Sequence, residues 1–288
     1  MASENSGSLI AILAGGGRMP SLVAASARRA GRTVVVFAIA GEADPPAFDG
    51  EQVHVFRWGQ LGSLLRVAQE SGCREAVFIG TVSERPDIAN VRPDIKSLKF
   101  VPRMLKLIGQ GDHTLLEGMT QIFAEHGIAL VGPLDVAPDL ALPQGCQAGR
   151  VPREAEQDID KALEAARLIG GLDVAQGAVS VGGRIVALED LGGTDALLER
   201  VAEHRRRGRI KKAGGVLVKC LKPLQDGRHD VPTIGPDTAQ AAARAGLVGV
   251  AAEAHRTMLA GRDETIEAFC RADIFLLGLK PPGRAGDG

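Results

Sequence analysis

The chain has 288 residues, 45% of them hydrophobic and 24% charged, with a formal net charge of −1. That size supports one large or two medium domains with a sizeable core, and the balanced charge excludes the broad basic surface by which proteins hold nucleic acid. Aromatic residues make up 3% and tyrosine is absent, which excludes an aromatic platform for stacking single-stranded bases. The four cysteines, Cys73, Cys146, Cys220 and Cys270, form no C-x-x-C pair and indicate neither a zinc cage nor a disulfide framework. The first eight residues lack the basic and apolar regions of a signal peptide, and no stretch has the uninterrupted apolar length that spanning a bilayer requires. A reducing cytoplasm is the expected setting.

Leu9–Ala14 is predicted as a buried strand running into Gly15, Gly16, Gly17 and Arg18, followed by Met19-Pro20 and an alanine-rich helix to Ala30. Glycines there permit positive φ and close backbone approach, Pro20 suits a first helical turn, and a helix start attracts anions. The turn matches G-x-G-x-x-G only in part and lacks the Lys-Ser/Thr pair of a P-loop, so a nucleotide site and a tight structural turn both stand open. Thr33–Ile39 and residues 53–56 and 76–79 read as further strands, with a helical pattern at 63–69. Strands alternating with helices predict a Rossmann-like parallel sheet in an N-terminal α/β domain, residues 1–135. Ligands of such sheets sit beyond the carboxyl ends of the strands. The glycine-marked segments that fall there are Gly15 to Arg18, Trp58-Gly59-Gln60 and Gly80-Thr81. Arg92-Pro93-Asp94 is expected to start another helix. Gly111-Asp112-His113 leads into a helical face of Leu115, Leu116, Met119, Ile122 and Phe123, where Asp112 fits an N-cap as well as a ligand contact and His113 a helix-start residue as well as a ligand. Residues 128–131 supply one more strand.

Residues 136–153, rich in Pro, Gly and Ala, read as a connection, and a C-terminal α/β domain with a mixed sheet is expected over 154–288. A helical pattern covers 154–169, and Gly182-Gly183 between two β-type runs signals a hairpin. Thr194 or Asp195 is expected to cap the next helix. The basic run Arg205-Arg206-Arg207-Gly208-Arg209 with Lys211 and Lys212 reads as a solvated helix end or as a surface attracted to an anionic membrane. A strand at 215–218 then delivers K-C-L-K-P-L-Q-D-G-R-H-D-V-P-T-I-G-P, residues 219–236, to a sheet edge. Lys219, Lys222, Arg228 and His229 beside Asp226 and Asp230, on a segment stiffened by Pro223, Pro232 and Pro236, suit a phosphate ester and a divalent cation better than an apolar ligand. Surface ion pairs on a solvated turn are the plain alternative. Strands at 247–251 and 274–277 and a helix at 263–270 complete the domain.

Across most of the chain, A-G-G-G-R-M-P, W-G-Q-L-G, G-T-V-S-E-R-P, R-P-D-I-K, G-D-H-T-L-L, D-V-A-Q-G-A-V-S-V, G-T-D-A-L-L-E-R, G-G-V-L-V-K and K-P-L-Q-D-G-R-H-D-V-P-T-I-G-P occur in that order. In these motifs the sequence resembles the LpxI family of UDP-2,3-diacylglucosamine pyrophosphatases. It departs at Gly192, where an acidic residue is expected, and at His255, where glycine is expected. The resemblance implies Mg²⁺-dependent hydrolysis, with Mn²⁺ as an alternative ion, of the pyrophosphate of UDP-2,3-diacylglucosamine to UMP and 2,3-diacylglucosamine 1-phosphate (lipid X) in lipid A biosynthesis of Gram-negative bacteria. It carries the family's essential aspartate onto Asp226, as metal ligand or base, with Asp230 a second metal candidate. Lys219, Lys222 and Arg228 would offset phosphate charge, and Gly15, Gly16, Gly17, Arg18, Gln60, Thr81, Asp112, His113, Thr194 and Asp195 complete the candidate substrate-binding set. The implied partner is a lipid-linked nucleotide sugar, with peripheral contact at the inner membrane and homo-oligomerisation left open. A nucleotide-binding oxidoreductase is a competing reading, opposed by the imperfect glycine fingerprint and by Ala38-Ile39-Ala40-Gly41 where an acidic residue would end the second strand. A non-catalytic nucleotide or lipid sensor is a third.

Overall fold

A run such as Leu9-Ile10-Ala11-Ile12-Leu13-Ala14 is apolar on both of its alternating sides, so it demands cover on both faces. The computed structural model describes residues 8–82, 91–108, 112–222 and 231–281, and it falls into two units, Met1–Asp139 and Leu140–Gly288. In the first, β1 (Leu9–Ala14), β2 (Thr33–Ile39), β3 (Gln52–Phe56), β4 (Glu75–Ile79) and β5 (Ala129–Leu130) form a sheet of order β3-β2-β1-β4-β5. Every pairing in it is parallel, which agrees with the predicted Rossmann-like layout. Its helices are α1 (Met19–Arg29), α2 (Leu61–Glu70), α3 (Val101–Ile108), α4 (Asp112–Glu125) and the single turn α5 (Pro133–Val136). Leu65 and Ala68 of α2 and Ile122 and Phe123 of α4 pack on Ala11, Leu13, Val35 and Phe37. The opposite face, with Ile10, Ile12, Val34 and Val36, is buried too.

The helix expected from Arg92-Pro93-Asp94 starts later, at Val101. Pro93 biases Arg92 away from helical φ/ψ, and Asp94 instead caps a turn, accepting from the Ser97 N–H at 2.7 Å and from the Ser63 hydroxyl. Burial pushes the Asp94 carboxyl up, but the hydrogen bonds from Ser63 and Ser97 and the Lys96 charge together hold it below its ordinary value.

The second unit holds β6 (Gly145–Ala148), β7 (Gly177–Val181), β8 (Arg184–Leu188), β9 (Val216–Lys219), β11 (Gly249–Glu253) and β13 (Phe275–Leu279) in the order β6-β13-β11-β9-β7-β8. The strands β9, β11 and β13 are parallel and the outer pairings antiparallel, giving the expected mixed sheet. A separate short pair joins β10 (Thr233–Ile234) and β12 (Met258–Leu259). Residues 136–153, expected as a connection, divide between the units at Asp139, and Gly145–Ala148 within them is an edge strand on β13. Side chains on the central strands alternate cleanly. Val216 and Val218 face Ile159, Ala162 and Ala166 of α6 (Glu156–Gly171), while Leu217 faces the layer built by Leu197, Leu198 and Val201 of α7 (Gly193–Arg206), Ala239 and Ala242 of α8 (Pro236–Arg244), and Phe269 of α9 (Arg262–Arg271).

The Gly182-Gly183 hairpin is present, with Val181 opposite Arg184 and both glycines at positive φ, 63° and 75°, the geometry of a two-residue turn whose twist matches the strands. Asp158 on α6 holds it. Its buried carboxylate accepts from the Ser180 hydroxyl at 2.6 Å and from the N–H groups of Gly182 and Gly183 at 2.9 and 2.7 Å. At the far end of α7, Arg205 of the basic run donates to the carbonyls of Ala245, Lys212 and Gly246, and Arg206 and Arg207 pair with Glu203.

Removing the Asp158 carboxylate leaves two backbone N–H groups and a buried hydroxyl unpaired. Asp158→Ala is expected to destabilise the protein by about 2–4 kcal/mol, measured by urea unfolding followed by circular dichroism. A loss under about 0.5 kcal/mol, the scale of a neutral surface change, would contradict this account.

Candidate functional site

Two sheet edges collect the chemistry, one in each unit. In the first unit β1 lies between β2 and β4, so the strand order reverses there and the carboxyl ends of β1 and β4 leave side by side. Gly15 donates its N–H to the Ile79 carbonyl at 2.9 Å, and Gly16 and Thr81 exchange N–H···O bonds of 2.7 and 3.0 Å. A Cβ on Gly15 would press into the Thr81 carbonyl oxygen, and one on Gly80 would lie 2.7 Å from the Gly16 oxygen. Close passage of two backbones therefore accounts for Gly15, Gly16 and Gly80, and two of the N–H groups expected for an anion already have carbonyl partners. Gly17, at φ +81°, has open space at its Cβ position, and Arg18 precedes α1 with its carbonyl accepting from Ser21 at 2.9 Å. Gln60 sits at the start of α2, two strands from β1, and its side-chain oxygen accepts the Arg57 N–H at 2.8 Å. Trp58 beside it is 38% exposed. Asp112 and His113 are the first residues of α4. Thus Gly15 to Arg18 and Thr81 meet, whereas Gln60 belongs to another strand end.

The edge of the second unit is more highly charged. Lys219, the last residue of β9, is 5% exposed, and its ammonium donates to the Thr233 carbonyl at 3.1 Å, tying β9 to β10. Lys222 pairs with Asp173 at 3.0 Å. Asp226, Arg228 and Asp230 lie outside the described residues; the positions flanking their segment, Lys222 and Val231, lie just past β9 and just before β10. Thr194 does not cap α7, whose N-cap is Gly192 with no side-chain bond; its hydroxyl donates to Glu189 at 2.6 Å. Asp195 stands in the first turn of α7, where the helix dipole favours a carboxylate. Gly192 has little room for a larger residue, since a Cβ would lie 2.7 Å from that of Ala196. His255, where the family resemblance calls for glycine, holds φ +58°, the left-handed region a glycine would occupy freely.

Sequence reasoning gave no role in the site to Glu253, Arg167, Glu189 or the Cys220 thiol. Glu253, the last residue of β11, is 2% exposed; Arg167 of α6 donates to its Oε1 at 2.8 Å, and its Oε2 has no hydrogen-bond partner among the described residues. Glu189 is also buried and lies over Gly177, accepting the Gln176 N–H at 3.0 Å. The Cys220 thiol sits between them, pushed up to about 12 by burial and then by the Glu253 charge, with Arg167 pulling the other way and Glu189 adding a smaller push. A charged residue closing the apolar run Gly249-Val250-Ala251-Ala252 was the one available signal for Glu253. Among the described residues no three of His, Cys, Asp and Glu gather as a metal-binding group. The edge nonetheless offers carboxylate oxygens and a protonated thiol, a donor chemistry that suits a hard cation such as Mg²⁺ and not a thiophilic one.

Comparison with known proteins gives a consistent result. The family model described as the LpxI N-terminal domain matches residues 9–140, and the one described as the LpxI C-terminal domain matches 143–277. The UDP-2,3-diacylglucosamine pyrophosphatase LpxI of Caulobacter vibrioides is 38% identical over 281 residues, covering 96% of this chain and 99% of that protein. A solved UDP-glucose 4-epimerase of Thermus thermophilus in complex with NAD, at 14% identity over 97% of this chain and 88% of its own with a TM-score of 0.30, is too remote to bear on fold or function.

A thiol reacts as its thiolate, so the four cysteines are expected to separate. At pH 8 in the native protein, iodoacetamide should label the exposed Cys146 and Cys270 and spare the buried Cys73, raised to about 11, and Cys220, raised to about 12. Peptide mass spectrometry reads this directly, and labelling of Cys220 at the rate of Cys270 would show that its site is open.

Proposed function

The chain belongs to the LpxI family, and from that membership we propose that it hydrolyses the pyrophosphate bond of UDP-2,3-diacylglucosamine, releasing UMP and 2,3-diacylglucosamine 1-phosphate in lipid A biosynthesis. The observation that carries this reading is continuity: both domain models match in order, and the identity to the Caulobacter relative extends over nearly the full length of both chains. A lipid substrate calls for a peripheral enzyme at the cytoplasmic face of the inner membrane; among the described residues no helix is long and apolar enough to cross a bilayer.

Asp226 is the proposed catalytic carboxylate, on the segment that leaves β9 and returns at β10. The Lys219 contact with the Thr233 carbonyl supports this assignment because it secures the two strands between which that segment runs. Lys222 and Arg228 are the cations proposed to offset the diphosphate charge, which matters most where water is thin and the effective dielectric low. When bound, Mg²⁺ or Mn²⁺ held by Asp226 and Asp230 would withdraw charge from the phosphate oxygens. The remaining substrate contacts are proposed at Gly17, Arg18 and Thr81 on the first edge and at Asp195 on the second.

Three outcomes test the reading. With Mg²⁺ present, UMP release from UDP-2,3-diacylglucosamine, followed by chromatography, should far exceed that from UDP-N-acetylglucosamine, because each buried acyl methylene contributes about 0.8 kcal/mol that the soluble compound lacks. Equal turnover would remove the lipid from the assignment. EDTA should stop the reaction and added Mg²⁺ or Mn²⁺ restore it; full activity after exhaustive chelation would strike out the metal. Asp226→Asn should melt like the parent and lose at least about a hundredfold in kcat, and near-normal turnover in the folded variant would refute the role given to Asp226.

A further inference from the structure

A carboxylate oxygen closed off from water with no hydrogen-bond partner is strongly unfavourable, and folded proteins keep such groups mainly where function asks for them. Among the described residues Glu253 Oε2 finds no such partner, and neither does the side-chain oxygen of Gln176. They share a neighbourhood. Ala252 pairs with Lys219 across β11 and β9, which sets Glu253 beside Cys220, and the Cys220 N–H donates to the Gln176 carbonyl at 3.0 Å. All of this lies at the carboxyl edge of the parallel strands, where ligands of α/β sheets bind. The nearby Glu189 shows the contrast, since both its oxygens are occupied, by the Thr194 hydroxyl and the Gln176 N–H.

Both unpartnered atoms are hydrogen-bond acceptors, so a phosphate, itself an acceptor and anionic, cannot satisfy them. A hydroxyl or an N–H can. We propose that Glu253, with Gln176 beside it, is a specificity-determining residue that accepts a hydrogen bond from the sugar of the substrate, the diacylglucosamine ring with its amide N–H and free hydroxyls, and that the diphosphate lies away from it toward the cations. Arg167 holds one carboxylate oxygen in place and leaves the other for the ligand. Because the terminal torsion of a glutamate is soft, a small parting of the edge side chains brings that oxygen to a donor. This inference rests on the pyrophosphatase reading and adds to it which end of the substrate faces the sheet.

The test uses the full chain with Glu253→Gln, which keeps the shape and removes the charge. UMP release by the parent is measured first; its absence would sink the pyrophosphatase reading itself and is thereby told apart from a failure of the present one. Binding of each product is then measured alone by calorimetry, UMP in buffer and 2,3-diacylglucosamine 1-phosphate in detergent micelles. The variant should bind the sugar phosphate about ten- to a hundredfold more weakly, the range for a hydrogen bond to a charged group, and UMP as the parent does. KM should rise in step while kcat holds within about threefold, since the contact is made in the ground and transition states alike. Its melting temperature and circular dichroism are recorded to confirm that it is folded, since the substitution also weakens the ion pair with Arg167. Unchanged sugar-phosphate binding or an equal loss for both products would each overturn the proposal. Should Glu253→Gln not fold, Gln176→Met removes the second acceptor without touching the ion pair and should weaken sugar-phosphate binding alone by about three- to tenfold; no change there would count against the proposal in the same way.

Discussion

A strand covered by helices on both faces has no place along its length for a charge, because a buried charge must be paired and hydrogen-bonded or it costs more than the strand can return. The central strands of both sheets obey this. Val34 to Ala38 and Val216 to Val218 are wholly apolar and buried, and the ionisable residues of these strands stand at their ends: Glu75 opens β4 beside Arg32, while Lys219 and Glu253 close β9 and β11. Ser180, the one buried hydroxyl on β7, is satisfied by Asp158. Chemistry is thereby pushed to the sheet edges, and the carboxyl edges receive most of it.

The same constraint explains what could be read from the sequence. Uninterrupted apolar runs announced the parallel strands, Gly182-Gly183 the hairpin, and Met19-Pro20 the start of α1, since each is a local choice that fold and sequence make together. β6 was not legible because its partner, β13, lies far along the chain: Cys146 pairs with Leu277 across a bulged antiparallel register, and nothing local marks four residues as a strand edge. Arg167 looked like any other charge in a regular helix; only the packing of α6 over β9 and β11 brings it to Glu253. The loop carrying Asp226 was read from its residue types and from the resemblance.

The glycine turn after β1 illustrates a different limit. Glycines placed for a phosphate and glycines placed for a backbone crossing look alike in sequence, since both purposes need a missing Cβ. The Gly15 and Gly16 N–H groups turned toward Ile79 and Thr81 assign these two to the crossing, and leave Gly17, with positive φ and open space, as the position where a ligand has room. His255 makes the complementary point. His255 holds the left-handed region, which histidine adopts at modest cost, so the chain path here does not require glycine.

Trp58, half exposed at the strand ends of the first unit, is the only tryptophan in a chain without tyrosine. Excited at the red edge of indole absorption, the protein therefore emits from one indole at the carboxyl end of β3, and the second unit adds no indole or phenol emission. Light from this protein reports on the surroundings of Trp58. A tryptophan introduced beside the second edge, in a variant with Trp58 replaced, would have no background to compete with, so each unit can be made to speak separately.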